Sequence, residues 1–240
     1  MGTYHFSGVI HPARSDFVLP RGTFTFALET EGLEGEATLQ GFYSMVSVVV
    51  SVGGEPNILT LRNVVHGLVQ ANIDAYGYVS GRGFRAEIVS VLSPDGQMEV
   101  FGCGVPVLES TVEERPIDIA AILTLSYESR WVRRMLADLS LAIREPIDSG
   151  FYLYRAIEAI RQHFQERANG ENQAWERLRR ELKVRRESLE EIKSFADEPR
   201  HGSWAQISDQ QSARILSLAW EIAFRFCNYL LGTPVTDVEI

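Results

Sequence analysis

The sequence predicts an α+β domain followed by an all-α, up-and-down helical bundle. Three observations carry this prediction. Glycine divides 15 to 4 between residues 1–110 and 111–240, and all four tryptophans fall in the second half. The first half carries 5 Lys+Arg and 11 Asp+Glu and the second 18 and 21, so charge density rises sharply along the chain. The apolar period also changes from two to about 3.6 residues, from the strand repeat to the helix repeat. Gly-rich, weakly charged sequence suits strands and turns, and charge-dense, Gly-poor sequence suits helices. The break lies between Val105-Pro106 and Arg115-Pro116, which places domains at residues 1–108 and 113–240.

In the first domain, Tyr4 to Ile10 and Thr23 to Leu28 alternate like half-buried strands. A third strand pattern runs from Glu36 to Val52, with Gly41 as a bend. From Ile58 to about Tyr76, Leu61, Val64 or Val65, Leu68, Asn72 and Ala75 form a helical stripe that Gly77 can stop. Phe84 to Leu92 and Met98 to Phe101 follow as strands, joined by Ser93-Pro94-Asp95-Gly96, a type I turn sequence. The order is β-β-β-α-β-β, a mostly antiparallel sheet with one helix on a face.

The second domain reads as four helices. Ile117 to Ile143 is the first. Phe151 to Ala168 is the second, capped by Asp148 or Ser149 and stopped at Asn169-Gly170. The third, Gln173 to Ala196, is thin in apolar residues, with seven basic and five acidic residues between 175 and 193. The fourth opens with Ser208 and Gln211 at capping-box spacing and ends at Gly232. Its two apolar faces, one through Ile215, Ile222 and Phe226 and one through Leu216, Trp220 and Cys227, require a surrounded position. It is either the bundle's centre or a contact with a second subunit.

Composition and motifs exclude much. Cys103 and Cys227 are the only cysteines and sit in apolar runs, as free thiols do in a reducing cytoplasm. The N-terminus lacks a basic segment followed by an apolar core, so no signal peptide is expected. The longest apolar run, Met45 to Val52, is far short of the ~20 residues of a membrane span. No Cys or His pairs at zinc spacing, Walker loop or Gly-x-Ser-x-Gly elbow occurs, and neither metal nor cofactor is expected. His5, His11, His66 and His163 read as structural or surface histidines.

His201 differs in its company. Ala196-Asp197-Glu198-Pro199-Arg200-His201-Gly202 joins the third and fourth helices and gathers carboxylates, a guanidinium and an imidazole. With Gly150-Phe-Tyr-Leu-Tyr-Arg-Ala-Ile-Glu-Ala-Ile160 on the second helix, this segment resembles the HEPN superfamily of bacterial and archaeal helical domains, over about residues 117–232. The resemblance implies a bundle that dimerises through its helices, a defence or stress-response setting, and in many members metal-independent RNA cleavage by an Arg-x(4–6)-His motif. Five to seven positions before His201 stand Ala196, Phe195 and Ser194, so that arginine is absent from its usual place. Arg200 adjoins the histidine instead, and Arg155, an i,i+3 partner of Glu158, is a second basic candidate. The site expected is therefore His201, Arg200, Arg155 and Glu158. A base near neutral pKa would take the ribose 2′-hydroxyl proton, and an arginine would stabilise charge on the phosphate.

A net charge of −9 gives no global field for nucleic acid. The exception is the third helix, where Arg179, Arg180, Lys183 and Arg186 form a local basic stripe interrupted by Glu176, Glu181 and Glu187. The reading that results is an RNA-directed protein whose first domain binds a protein or small-molecule partner. Its rival is a non-catalytic dimeric scaffold in which His201 is structural.

Overall fold

A computed structural model describes residues 1–13, 18–28, 31–102, 104–109, 118–166, 170–200, 209–235 and 238–240; the side chains of 198–200, 209 and 210 lie outside that description. The chain forms two compact units, Met1–Gly102 and Cys103–Ile240.

The first unit is an antiparallel six-stranded sheet with one helix. Strands β1 (Gly2–His11), β2 (Val18–Leu28), β3 (Leu33–Phe42) and β4 (Met45–Val52) precede helix α1 (Ile58–Ser80), and β5 (Arg85–Leu92) and β6 (Met98–Val100) follow it. The spatial order is β2-β3-β4-β1-β5-β6. Strands β4 and β5 both run antiparallel to β1 on its two sides, so α1 carries the chain across β1. Its buried row Leu61, Val65, Val69, Ile73 packs on Phe6, Ile10, Val48 and Val50. The opposite sheet face, with Thr3, His5, Ser7, Thr25, Glu36 and Ser47, is exposed. There hydroxyls pair across strands, Ser7 with Ser90 at 2.6 Å and Thr23 with Thr38 at 3.1 Å.

Two details differ from the sequence prediction. The long third strand is two strands, because Tyr43 adopts φ 53° in a two-residue hairpin loop between Phe42 and Met45. A positive φ at a non-glycine residue carries no sequence signal. Tertiary bonds hold the loop instead: Ile10 N–H donates to Ser44 O at 2.7 Å, and the Ser44 hydroxyl donates to Ala13 O at 2.6 Å. Gly77 does not stop α1. Its missing side chain admits Arg82 O, which would lie 2.5 Å from a Cβ, and Gly81 at φ 65° ends the helix.

The helical unit contains α2 (Ile119–Glu128), α3 (Arg130–Arg144), a 3-10 turn (Pro146–Asp148), α4 (Ser149–Gln165), α5 (Glu171–Leu182), α6 (Arg186–Arg200) and α7 (Asp209–Leu231). The predicted first helix is broken at Ser129, whose extended backbone ends α2 and whose hydroxyl accepts from Val132 N–H to cap α3. The third is broken at Lys183, φ 54°. Asp148 occupies the N-cap position of α4 without a side-chain capping bond. Ser208 lies outside the described residues. Leu108, placed in the first domain by composition, is buried in the helical core, because the apolar residues Val105, Val107 and Leu108 pack on the helices.

Helix α7 touches α2 through α6. Both its apolar faces, including Ile215, Ile222 and Phe226 on one and Leu216, Ala223 and Cys227 on the other, are buried within one chain. It is surrounded by the other described helices of the unit, with Trp220 on its second face half-buried. No described helix is long and apolar enough to cross a membrane.

Candidate functional site

The segment read as a connecting loop is largely helix, since α6 continues through Arg200. His201 and residues 202–208 lie outside the described residues, as does the side chain of Arg200. The end of α6 is held against the start of α4. A Cβ at Gly150 would stand 2.5 Å from Phe195 O, so only glycine permits this approach. Pro199 has no N–H to donate to that carbonyl, which leaves it open to a neighbouring backbone.

Arg155 is committed to a partner that the sequence did not suggest. Its Nη2 lies 3.0 Å from Oδ1 of Asp138 on α3, an ion pair without hydrogen-bond geometry, and Arg134 Nε donates to Oδ2 at 2.8 Å. Asp138 is only 1% exposed. Burial raises its carboxyl pKa and Arg134 opposes the rise. The Arg155 guanidinium also lies 5.0 Å from the Phe151 ring centroid and 5.5 Å from that of Tyr152. The expected Arg155–Glu158 pair does not form; Glu158 is half-buried on α4 without an ion pair among the described residues. The signal for Asp138 was present: it sits in the stripe of Val132, Met135 and Leu139, where an acid needs a partner. Nearby, burial raises the Tyr152 hydroxyl pKa, with Asp148, Glu145 and Asp138 adding to it.

The break at Lys183 builds a second place. Two features hold the turn there. Buried Arg225 on α7 donates through Nη1 to Leu182 O at 3.1 Å and Lys183 O at 3.0 Å, and its Nε donates to Glu221 at 2.6 Å. Ile240 N–H donates to Lys183 O at 3.1 Å, and Arg185 N–H donates to Ile240 O at 2.5 Å. With α5 and α6 folded apart, a cleft of about 430 Å³ opens between them and α4. Arg179, Arg186 and Lys193 supply its cations, Glu176 and Glu190 its carboxylates, and Tyr154, Trp175 and Leu189 its apolar wall. Arg186 pairs with Glu190 at 2.7 Å. Trp175 stacks near-parallel to Tyr154, with centroids 6.4 Å apart, and the Arg161 guanidinium lies 5.5 Å from its ring.

Of the four basic residues expected to bind RNA, the structure therefore brings Arg179 and Arg186 together. Arg180 is outside the cleft and pairs with Glu181 at 2.9 Å, and Lys183 serves the turn through its backbone. Among the described residues no three His, Cys, Asp or Glu side chains gather to hold a metal ion. Cys227 is buried, its thiol pushed up to about 11 by burial, and Cys103 lies outside the described residues.

Family models divide the chain where the fold does. The N-terminal domain of DUF8168, a domain of unknown function, matches residues 4–101, and its C-terminal domain matches residues 119–231. The chain is a two-part DUF8168 protein. Searches of curated proteins and of solved structures gave no match to it. The DUF8168 C-terminal region contains the whole described cleft and the Asp138–Arg155 pair.

Proposed function

We propose that this DUF8168 protein is an RNA-directed cytoplasmic protein of the HEPN type, working in a defence or stress response, with the sheet domain as a partner-binding module. The observation that carries the reading is the cleft, where Arg179, Arg186 and Lys193 meet Tyr154 and Trp175. Cations beside aromatic rings are what a single strand of nucleic acid is bound by, and a local group of them acts despite an acidic whole. Cleavage would run through His201 as the base that takes the ribose 2′-hydroxyl proton, while the 2′-oxygen bonds to the adjacent phosphorus, the P–O5′ bond breaks, and the proton passes to the leaving 5′-oxygen, giving a 2′,3′-cyclic phosphate. Arg200 is then the arginine for the phosphate, Arg155 being held by Asp138. The test is incubation of the full chain with single-stranded RNA in the presence of a chelator. Chelator-resistant cleavage that disappears in His201→Ala supports the nuclease, and binding without cleavage supports a degenerate RNA-binding protein. Absence of both binding and cleavage rejects the reading.

A second reading, a non-catalytic dimeric scaffold, has its own observation. Ile119, Leu123 and Tyr127 are 74%, 50% and 77% exposed at four-residue spacing on α2, an apolar row of the kind that marks interaction sites. Sedimentation equilibrium of the wild type and of Leu123→Glu tests it: a dimer that the substitution dissociates supports pairing through α2, and a wild-type monomer rejects it.

A further inference from the structure

We propose that the cleft between α4, α5 and α6 is a site for a free α-amino acid with an apolar or aromatic side chain. Its carboxylate would meet Arg179, its ammonium Glu176, and its side chain the wall of Trp175 and Leu189. The site does not rest on the RNA-directed reading, since the charges lining the cleft select its ligand. The cleft volume, about 430 Å³, lies at the small end of the roughly 300–1,000 Å³ usual for small-molecule sites.

Opposite charges stand at pairing distance along one helix without pairing. Glu176 and Arg179 both line the cleft, three residues apart on α5, a spacing at which helical side chains are neighbours. Neither has an ion pair among the described residues, whereas Arg186 and Glu190 on α6 close to 2.7 Å. Lys193 on α6 is likewise without an ion pair among the described residues. A carboxylate only accepts hydrogen bonds and a guanidinium only donates them. An anion alone would answer Arg179 and leave Glu176 facing it, and a cation alone would do the reverse. Three residues of helix rise set the two positions about 4.5 Å apart along the axis, so a ligand that answers both carries its opposite charges close together. In an α-amino acid the carboxylate and the ammonium hang from one carbon. Arginine meets a carboxylate with two parallel N–H donors, and Lys193 supplies a second cation from α6. The rest of the cleft favours an apolar side chain. Leu189 is buried, and Trp175 is held between Tyr154 and Arg161, so little side-chain freedom is lost when a ring settles beside it.

Calorimetric titration of the full chain with L-phenylalanine, L-tryptophan and L-leucine tests the site. 3-Phenylpropionate, phenethylamine and glycine are the comparison probes, lacking in turn the ammonium, the carboxylate and the side chain. Glu176 is exposed and Arg179 half-buried, so Glu176→Gln and Arg179→Gln leave the core intact. Arg180→Gln, outside the cleft, is the control for general charge. We expect saturable binding of at least one of the three amino acids, weakened about tenfold or more by each cleft substitution and unchanged in the control, since a charge-assisted bond contributes at least about that factor. Each comparison probe should bind about tenfold or more weakly than the amino acid, for the same reason. A comparison probe that binds as tightly as the amino acid overturns the proposal, as does amino-acid binding that either cleft substitution leaves intact. No saturable binding of any of the three amino acids also overturns it. Titration of the same proteins with a short single-stranded RNA keeps the two readings apart. RNA binding without amino-acid binding overturns only the amino-acid site, and amino-acid binding without RNA binding rejects only the RNA reading.

Discussion

Arg155 on α4 holds its guanidinium 3.0 Å from the buried carboxylate of Asp138 on α3. The pair joins two neighbouring helices at the point where a functional arginine was expected. Arg134 shares the carboxylate from the solvent side, with half of its own side chain exposed. A residue nominated for catalysis is thus part of what holds the bundle together.

Removing it should be felt in stability. Arg155→Ala removes the cation 3.0 Å from Oδ1 and leaves the buried Asp138 carboxylate with Arg134 alone, at an expected cost of about 1–3 kcal/mol, since a buried charge is left less compensated. All four tryptophans lie in residues 111–240, so tryptophan fluorescence during urea denaturation reports this half of the chain. His201→Ala serves as the comparison. A functional histidine at the surface should change stability by no more than about 0.5 kcal/mol. Wild-type stability in Arg155→Ala would contradict the assignment.

Gly150→Ala should destabilise the same unit by about 1–3 kcal/mol, because the added methyl meets a backbone carbonyl that cannot rotate away. The closest atom is Phe195 O, at 2.5 Å from the ideal Cβ. In an exposed helix the same change would stabilise by nearly 1 kcal/mol, so the sign of the change in denaturation midpoint is decisive.

The sheet unit should lose stability as pH falls. His66 is buried on α1, its Nε2–H donating to Ala86 O at 3.3 Å while Nδ1 has no hydrogen-bond partner among the described residues. Burial is the main cause that lowers its pKa; Arg62 and Arg85 add to it, and the Ala86 bond and Asp74 oppose it. The folded state therefore keeps the ring neutral, and the unfolded chain takes up a proton below about pH 6.5. The contribution is present above that pH and falls as acid is added, with unfolding drawing in the proton. Denaturant midpoints of the first unit, followed by its tyrosines between pH 7.5 and 5, should decline less steeply in His66→Gln than in the wild type. Equal slopes would rule out His66 as the source.

By itself the sequence determined whatever depends on local pattern. Alternation through Tyr4, Phe6, Gly8 and Ile10 defines a strand with one buried face, and the strand buries those residues. The Asp95-Gly96 turn, the end of α7 at Gly232 and the change from sheet to bundle are written in residue types with strong backbone preferences. The apolar residues on both sides of α7 likewise required a surrounded helix. What only the tertiary structure decided lies at residues with no such preference. Tyr43, Ser129 and Lys183 each end an element that periodicity would have continued. Tyr43 turns because the Ser44 backbone and hydroxyl are held by Ile10 and Ala13, and Lys183 because Arg225 and Ile240 bind the carbonyls around it. Local propensities differ by tenths of a kcal/mol to about 1, and a few well-placed hydrogen bonds from distant residues exceed them. The candidate cleft depends on the break at Lys183 and on residues from three helices. Arg179 and Arg186 were therefore legible as part of a charged stripe, while Lys193 and the meeting of all three with Tyr154 and Trp175 were not.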